Sequence, residues 1–202
     1  MTGGELRGFT LKSPKGNQTR PMSDRLKLAL FNMLAARDQP RGRVLDLYAG
    51  TGALGIECLS RGADSADFVE QNAGMAAIIK ENLAHTRLQG RATVHKLSVS
   101  SFLARAVDSP YDLVIMDPPY ADPEIAGTVG AVGARGWLSP GGLLVLGHSS
   151  RREFEERLGV LSLEKQRCHG DSCISFYSKA ASEADPEHSD SYSSLTSNPT
   201  RE

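Results

Sequence analysis

The segment Asp117-Pro118-Pro119-Tyr120 closes the apolar run Tyr111–Met116 and is the most chemically specific stretch of the sequence. Two consecutive prolines fix φ, push the preceding residue toward extended geometry and remove two N–H donors. The loop therefore presents acceptors, the Asp117 carboxylate and the Pro118 carbonyl, beside the flat ring of Tyr120. An exocyclic amine on a base complements that set, with two N–H groups to donate and a ring to stack. Such stacking is worth about 1–3 kcal/mol in comparable settings. The amine's lone pair is delocalised into its ring, so the nitrogen is a weak nucleophile. Accepting both hydrogens favours a pyramidal nitrogen and aims the lone pair outward. Catalysis then reduces to orientation plus stabilisation of charge growing on nitrogen. A methyl group on a sulfonium is an electrophile suited to in-line attack there.

A second constellation precedes it. In Asp46-Leu47-Tyr48-Ala49-Gly50-Thr51-Gly52-Ala53-Leu54-Gly55 the three glycines have the GxGxxG spacing between an apolar run and a helical pattern. Without Cβ atoms the turn bends sharply and a ligand reaches main-chain N–H groups. Glu70 lies eighteen residues beyond Gly52 at the end of the next apolar run. A carboxylate there can accept two hydrogen bonds from a ribose diol. The spacing alone serves either a dinucleotide or S-adenosylmethionine. A dinucleotide enzyme normally needs another domain for its substrate, and 202 residues leave no room for one. The proline loop tips the choice toward S-adenosylmethionine.

The elements that must position these groups follow from hydrophobic period. Strands are expected at Arg43–Tyr48, Ala66–Glu70, Ala92–His95, Tyr111–Met116 and Leu143–Leu146. Helices are expected near Ala53–Ser60, around Met75, Ile78, Ile79, Asn82 and Leu83, and near Ser100–Ala106. Such alternation implies an α/β fold with a doubly wound, mostly parallel sheet covered on both faces. Gly159–Cys168 and Ser172–Tyr177 flank His169-Gly170-Asp171 and read as a C-terminal antiparallel hairpin, bringing the sheet to seven strands. A small N-terminal extension precedes it: a short strand near Leu6–Leu11, then a helix capped by Ser23 with Leu26, Leu30, Phe31 and Leu34 inward. The expected division is residues 1–40 as extension, 41–179 as the main domain and 180–202 as a tail. The tail carries six Ser, two Pro and five acids, too little apolar surface to offset ordering entropy, and reads as disordered.

Composition narrows the partners. The chain has 23 Lys+Arg against 24 Asp+Glu, yet residues 1–43 hold nine basic residues against Glu5, Asp24 and Asp38. That asymmetry suggests a polyanion partner. No apolar run approaches the roughly 20 residues of a membrane span, and no apolar stretch follows the basic N-terminus as in a secretory signal. Cys58, Cys168 and Cys173 form no CxxC pair and fit reduced thiols in a cytosol. The five histidines show no ligand spacing with them, so no metal is expected. Cys58 and Trp137 read as core residues and His148 as a structural histidine.

Taken together, Arg20-Pro21-Met22-Ser23-Asp24-Arg25, Leu30-Phe31-Asn32, the glycine loop, Asp117-Pro118-Pro119-Tyr120 and Gly170-Asp171-Ser172 resemble the bacterial RsmD family over about Gly8 to Tyr177. These are guanine-N2 methyltransferases acting at guanine 966 of 16S rRNA. The resemblance implies a Rossmann-like methyltransferase sheet, S-adenosylmethionine as cofactor and 16S rRNA or the small ribosomal subunit as partner. It implies that Arg20–Arg25 closes over the cofactor and faces RNA, that Asp46, Gly50 and Gly52 line the methionine side, and that Glu70 holds the ribose. Ser98 matches the position from which relatives reach the adenine amino group with a longer acidic or amide side chain. Tyr48, Ala49, Gln71 and Val99 complete the expected cofactor set. Asp117, Pro118, Pro119 and Tyr120 are the expected catalytic residues, and Arg7, Lys12, Arg20, Arg25 and Lys27 the expected RNA contacts. A cytoplasmic monomer without metal or membrane attachment is the corresponding expectation. Two enzymatic alternatives share the proline loop. Adenine-N6 methylation of DNA usually requires a sizeable recognition insert, which is missing here, and glutamine-amide methylation more often has Asn in place of Asp117. A ribosome-assembly factor without turnover would have no need of an intact Asp117 loop.

Overall fold

The computed structural model describes residues 1–14 and 22–179. Arg20 and the acidic tail lie outside the described residues. In chain order the elements are α1 (Asp24–Ala35), β1 (Arg43–Leu47), α2 (Ala53–Ser60), β2 (Ser65–Val69), α3 (Ala73–His85), β3 (Ala92–His95) and α4 (Val99–Leu103). They continue as β4 (Tyr111–Met116), α5 (Ile125–Ala134), β5 (Leu138–Ser149), β6 (Arg157–Leu158), β7 (Leu161–His169) and β8 (Ser172–Lys179).

The strands form one sheet in the order β3-β2-β1-β4-β5-β8-β7-β6. Pairing is parallel from β3 through β5 and antiparallel from β5 through β6. The sheet has eight strands among the described residues, one more than expected. The extra one, β6, is two residues paired with Ser162 and Leu161, too short to leave a periodic signature. Successive β1 residues feed opposite faces, as a sheet buried on both sides requires. Val44 joins Leu113, Ile115 and Val145 beneath α1, α2 and α3, whereas Leu45 and Leu47 join Val114, Met116 and Leu146 beneath α4 and α5. Ser23 caps α1 as expected, its Oγ accepting from Leu26 N at 3.3 Å. Leu26, Leu30, Phe31 and Leu34 are its buried face.

Three expectations need correction. Residues 6–11 form no strand: Glu5 N donates to Ser60 O and Leu6 N to Ser60 Oγ, so the segment caps the far end of α2 instead of pairing in the sheet. From there the chain runs back along α3, past His85 beside Phe9 and Asn82 beside Lys12. The helix α5 is absent from the sequence-based expectation; it holds Gly127, Gly130 and Gly133, poor helix formers, and is held by burial of Ile125, Val129 and Val132. Cys168 and Cys173 are not reduced thiols but a disulfide, because the two-residue turn sets them directly opposite across β7 and β8 with Cα atoms 4.0 Å apart. Cys58 is free and buried, and Trp137 is buried, in line with their sequence reading as core residues. No described helix is long and apolar enough to cross a membrane.

Candidate active site

Because β1 through β5 run parallel, their carboxyl ends share one edge, and the chemical residues gather there. After β1 the chain turns through Tyr48, Gly50 and Gly52 with φ of 60°, 57° and 78°. Tyr48 is the one non-glycine residue of that turn in the left-handed region, a strain that needs surrounding structure to hold it. Its hydroxyl points toward α5 and the loop before it, 3.4 Å from Asp122 Oδ2. Gly55 serves packing: a Cβ there would lie 2.4 Å from the Phe68 ring and 3.0 Å from Asp46 Oδ2. The helix and strand can approach only without it.

Glu70 sits at the end of β2 beside this turn. Its Oε2 accepts from Gly50 N at 2.9 Å and its Oε1 from Asn72 N at 2.7 Å. Each carboxylate oxygen keeps a further lone pair, so acceptor capacity for a diol remains. Asp46 is almost wholly buried, and its Oδ2 accepts from Gly55 N at 2.9 Å. Burial raises its pKa to about 7 despite that hydrogen bond, and the charges of Asp117 and Glu70 push the same way. Three carboxylates thus converge at the ends of β1, β2 and β4. Their mutual repulsion favours a cationic ligand and disfavours an anionic pyrophosphate.

Asp117 follows β4, with Pro118 buried, Pro119 exposed and Tyr120 half-buried. Burial raises the Asp117 pKa to about 6; the backbone N–H of Met22, donating to it, and the Lys27 charge oppose that rise. Behind the carboxylate lies Gly147 of β5, where a Cβ would stand 2.4 Å from Asp117 Oδ1 and 3.4 Å from Met22 Cε. Neither Met22 nor Gly147 stands out in the sequence. The register places Gly147 there: it follows Leu146, the parallel partner of Met116, which sets it abreast of Asp117.

The remaining expected residues divide. Ala49, Gly50, Gly52 and Glu70 are together at the edge, with Gln71 exposed next to them. Ser98 spends its hydroxyl as the cap of α4, accepting from Ser101 N at 3.1 Å, while Val99 is buried. Lys27 is half-buried near Asp117 and paired with Asp24, and Arg25 is exposed on the same turn. Lys12 pairs with Glu81 on α3. Arg7 lies in the turn at the far end of α2, away from this edge. His148 is buried, with ring nitrogens 3.0 Å from Ser149 O and 2.8 Å from Ser175 Oγ. Among the described residues no group of three His, Cys, Asp or Glu side chains could hold a metal ion.

A doubly wound sheet with a glycine turn, a carboxylate at the end of β2 and a proline-flanked carboxylate after β4 at one edge defines a Rossmann-like methyltransferase. Residues 1–178 match the family described as conserved hypothetical protein 95, and the chain belongs to that family, the RsmD family. It is 32% identical over 185 residues to ribosomal RNA small subunit methyltransferase D of Escherichia coli K12, covering 90% of each chain. It is 30% identical to the putative rRNA methyltransferase YlbH of Bacillus subtilis, covering 87% of this chain and 96% of that one. The solved structure of the putative methyltransferase yhhF of Escherichia coli superposes with a TM-score of 0.79 at 31% identity, over 89% of this chain and 96% of the other.

Proposed function

We propose that this protein moves a methyl group from S-adenosylmethionine to the exocyclic N2 of a guanine in small-subunit rRNA, acting in the cytoplasm. The observation that carries the reading is the proline-fixed Asp117 carboxylate standing at the same sheet edge as the Gly50–Glu70 cradle. The residues fit the cofactor. Gly50 leaves room for close approach, Gly52 lets the turn pack on Ile79, Glu70 keeps acceptor capacity for a ribose, and the clustered carboxylates suit a ligand bearing an ammonium and a sulfonium. When bound, S-adenosylmethionine supplies the methyl group from its sulfonium.

The protein's own groups do the rest. Asp117 and the Pro118 carbonyl accept the two amine hydrogens and hold the base in one orientation. Tyr120 offers a stacking face, and the rigid prolines keep the acceptors from following the base as it moves. Asp117, with a pKa of about 6, is ionised at neutral pH. It can take the proton that leaves nitrogen once the new N–C bond forms. An rRNA base reaches such a recessed edge only by leaving its stack, which costs least in loops and distorted helices. The relatives' action on small-subunit rRNA supports the substrate class, and the amine-complementary rim supports the kind of atom modified.

Tritium transfer from labelled cofactor to 30S particles, naked 16S rRNA and plasmid DNA, followed by nucleoside analysis, tests this. Label in N2-methylguanosine of the RNA is expected. Label in N6-methyladenosine, label in DNA, or no transfer to any of the three contradicts it.

A further inference from the structure

We infer that the β7–β8 hairpin and the turn after β5 form an RNA-phosphate ledge beside Asp117; this rests on the proposed RNA substrate and adds to it the surface over which the flanking strand lies. The sheet order supplies the first argument. The cofactor cradle occupies the β1–β2 side of Asp117, so a polynucleotide must lie toward β5, β8 and β7. On that side the chain presents Arg151, Arg152, Lys165 and Arg167. Arg151 and Arg152 follow β5, and Ser150 N donates to Asp171 O at 3.0 Å, which holds that turn against the hairpin tip. Arg152 reaches back across the rim, donating from Nη1 to Asp122 O at 2.6 Å, with its guanidinium 5.2 Å from the Phe154 ring centre. It therefore touches the loop that follows Tyr120.

Lys165 and Arg167 continue the ledge. They pair with Phe176 and Ile174 of β8, so they project on the α1 side of the sheet. Arg37, just beyond α1, bonds Glu164 at 2.8 Å. From Arg37 back to Arg25 is about 18 Å at the helical rise, and from Glu164 to His169 about 17 Å at the strand rise. The amino end of α1, with Arg25, consequently lies abreast of Arg167 and His169. Among the described residues no carboxylate pairs with Arg151, Lys165 or Arg167, whereas Lys12 and Lys27 are engaged by Glu81 and Asp24. Arg151, Lys165 and Arg167 are also exposed. Charges on an edge strand also discourage sheet-to-sheet pairing, but that role does not call for Arg151 and Arg152 on a separate turn beside the substrate loop. Glu153, Glu155, Glu156 and Asp171 are interspersed there, and Glu164 is engaged by Arg37, so the ledge is a track of discrete phosphate sites rather than a uniform field.

The test is a double variant, Arg151→Glu with Arg167→Glu, and a milder pair, Arg151→Gln with Arg167→Gln, compared by RNA-binding titrations across salt. Expected is a salt slope shallower by about 1.5–2, since each arginine removed leaves one phosphate unneutralised, with RNA affinity lower by on the order of tenfold or more near 0.1 M salt. The KM for RNA should rise with it, and cofactor affinity by calorimetry should stay put, which shows that the fold is intact. Arg87→Glu, on the opposite edge after α3, should leave RNA affinity unchanged. Unchanged RNA affinity and slope in the double variant, with the wild type methylating RNA, overturns the ledge alone. A weakening seen with 30S particles but not with naked RNA also overturns it, since a ribosomal protein would then be what the ledge touches. Failure of the wild type to methylate RNA is a different result, and it removes the proposed function itself.

Discussion

At the scale of single residues the site is governed by where carboxylates lose water. Among the described residues no cation offsets Asp46, and burial together with Asp117 and Glu70 holds its pKa near 7. A cationic cofactor should pull that value down, so the ionised form binds more tightly. Cofactor affinity should therefore rise as pH increases from about 6 to 8, with proton release measurable by calorimetry in buffers of different ionisation enthalpy. Asp46→Asn should remove that release. Linkage gives the stability sign. The folded state binds the extra proton between the ordinary carboxylate range and about 7, so the ligand-free protein should lose stability as pH rises through that window. Asp117 acts in the opposite sense on rate. Below about pH 6 it is protonated and no longer accepts from both amine hydrogens, so turnover should fall toward acid pH. Gly147→Ala tests the same group by shape: its Cβ would stand 2.4 Å from Asp117 Oδ1. Turnover should fall in single-turnover assays while cofactor affinity is retained.

At the scale of elements, α1 holds the amino-terminal side of the rim in place. Ser23 caps it, Leu26 to Leu34 pin it to the sheet, and Met22, just before the cap, reaches Asp117. Ser23→Ala should cost about 1 kcal/mol in urea denaturation, as lost caps do. It should also raise the acid limb of the rate profile, because the Met22 N–H that lowers the Asp117 pKa would be less firmly held. Elements with strong local signals are legible in the sequence. The β4 run Tyr111–Met116 is apolar and ends in two prolines, and α1 has both a cap and a periodic face. The misread elements lack such signals. Helix α5 is Ile-Ala-Gly-Thr-Val-Gly-Ala-Val-Gly-Ala, whose propensity opposes its structure and whose stability comes from Ile125, Val129 and Val132 in the core. Leu6–Leu11 reads as a short strand, but Glu5 N and Leu6 N are spent on Ser60 at the end of α2, a long-range choice that no local pattern reveals.

For the molecule as a whole, the sheet order separates two tasks at Asp117. In the proposed reading the cradle for one ligand occupies β1 and β2, and the approach for the other lies over β5, β8 and β7. That partition is only half visible in the sequence. Glycine spacing and Glu70 mark the cradle, because a backbone turn leaves a local signature. The partners of Asp117 are distant in sequence: Met22 meets it because α1 packs on the sheet, and Gly147 because β5 pairs with β4. The Cys168–Cys173 bridge depends likewise on hairpin register. If the two tasks are separate, Asp117→Ala should lower turnover on the order of a hundredfold or more while leaving cofactor affinity nearly intact by calorimetry. Glu70→Ala should weaken cofactor binding instead. The central claim is that the donor's methyl is presented to this acceptor rim. A crystal structure with S-adenosylmethionine measures that directly. The account predicts the adenosyl ribose on Glu70 and the methyl carbon directed into the open space beside Asp117 and Pro118. A methyl directed away from Asp117, or a rim closed off from the cofactor by protein, would contradict it.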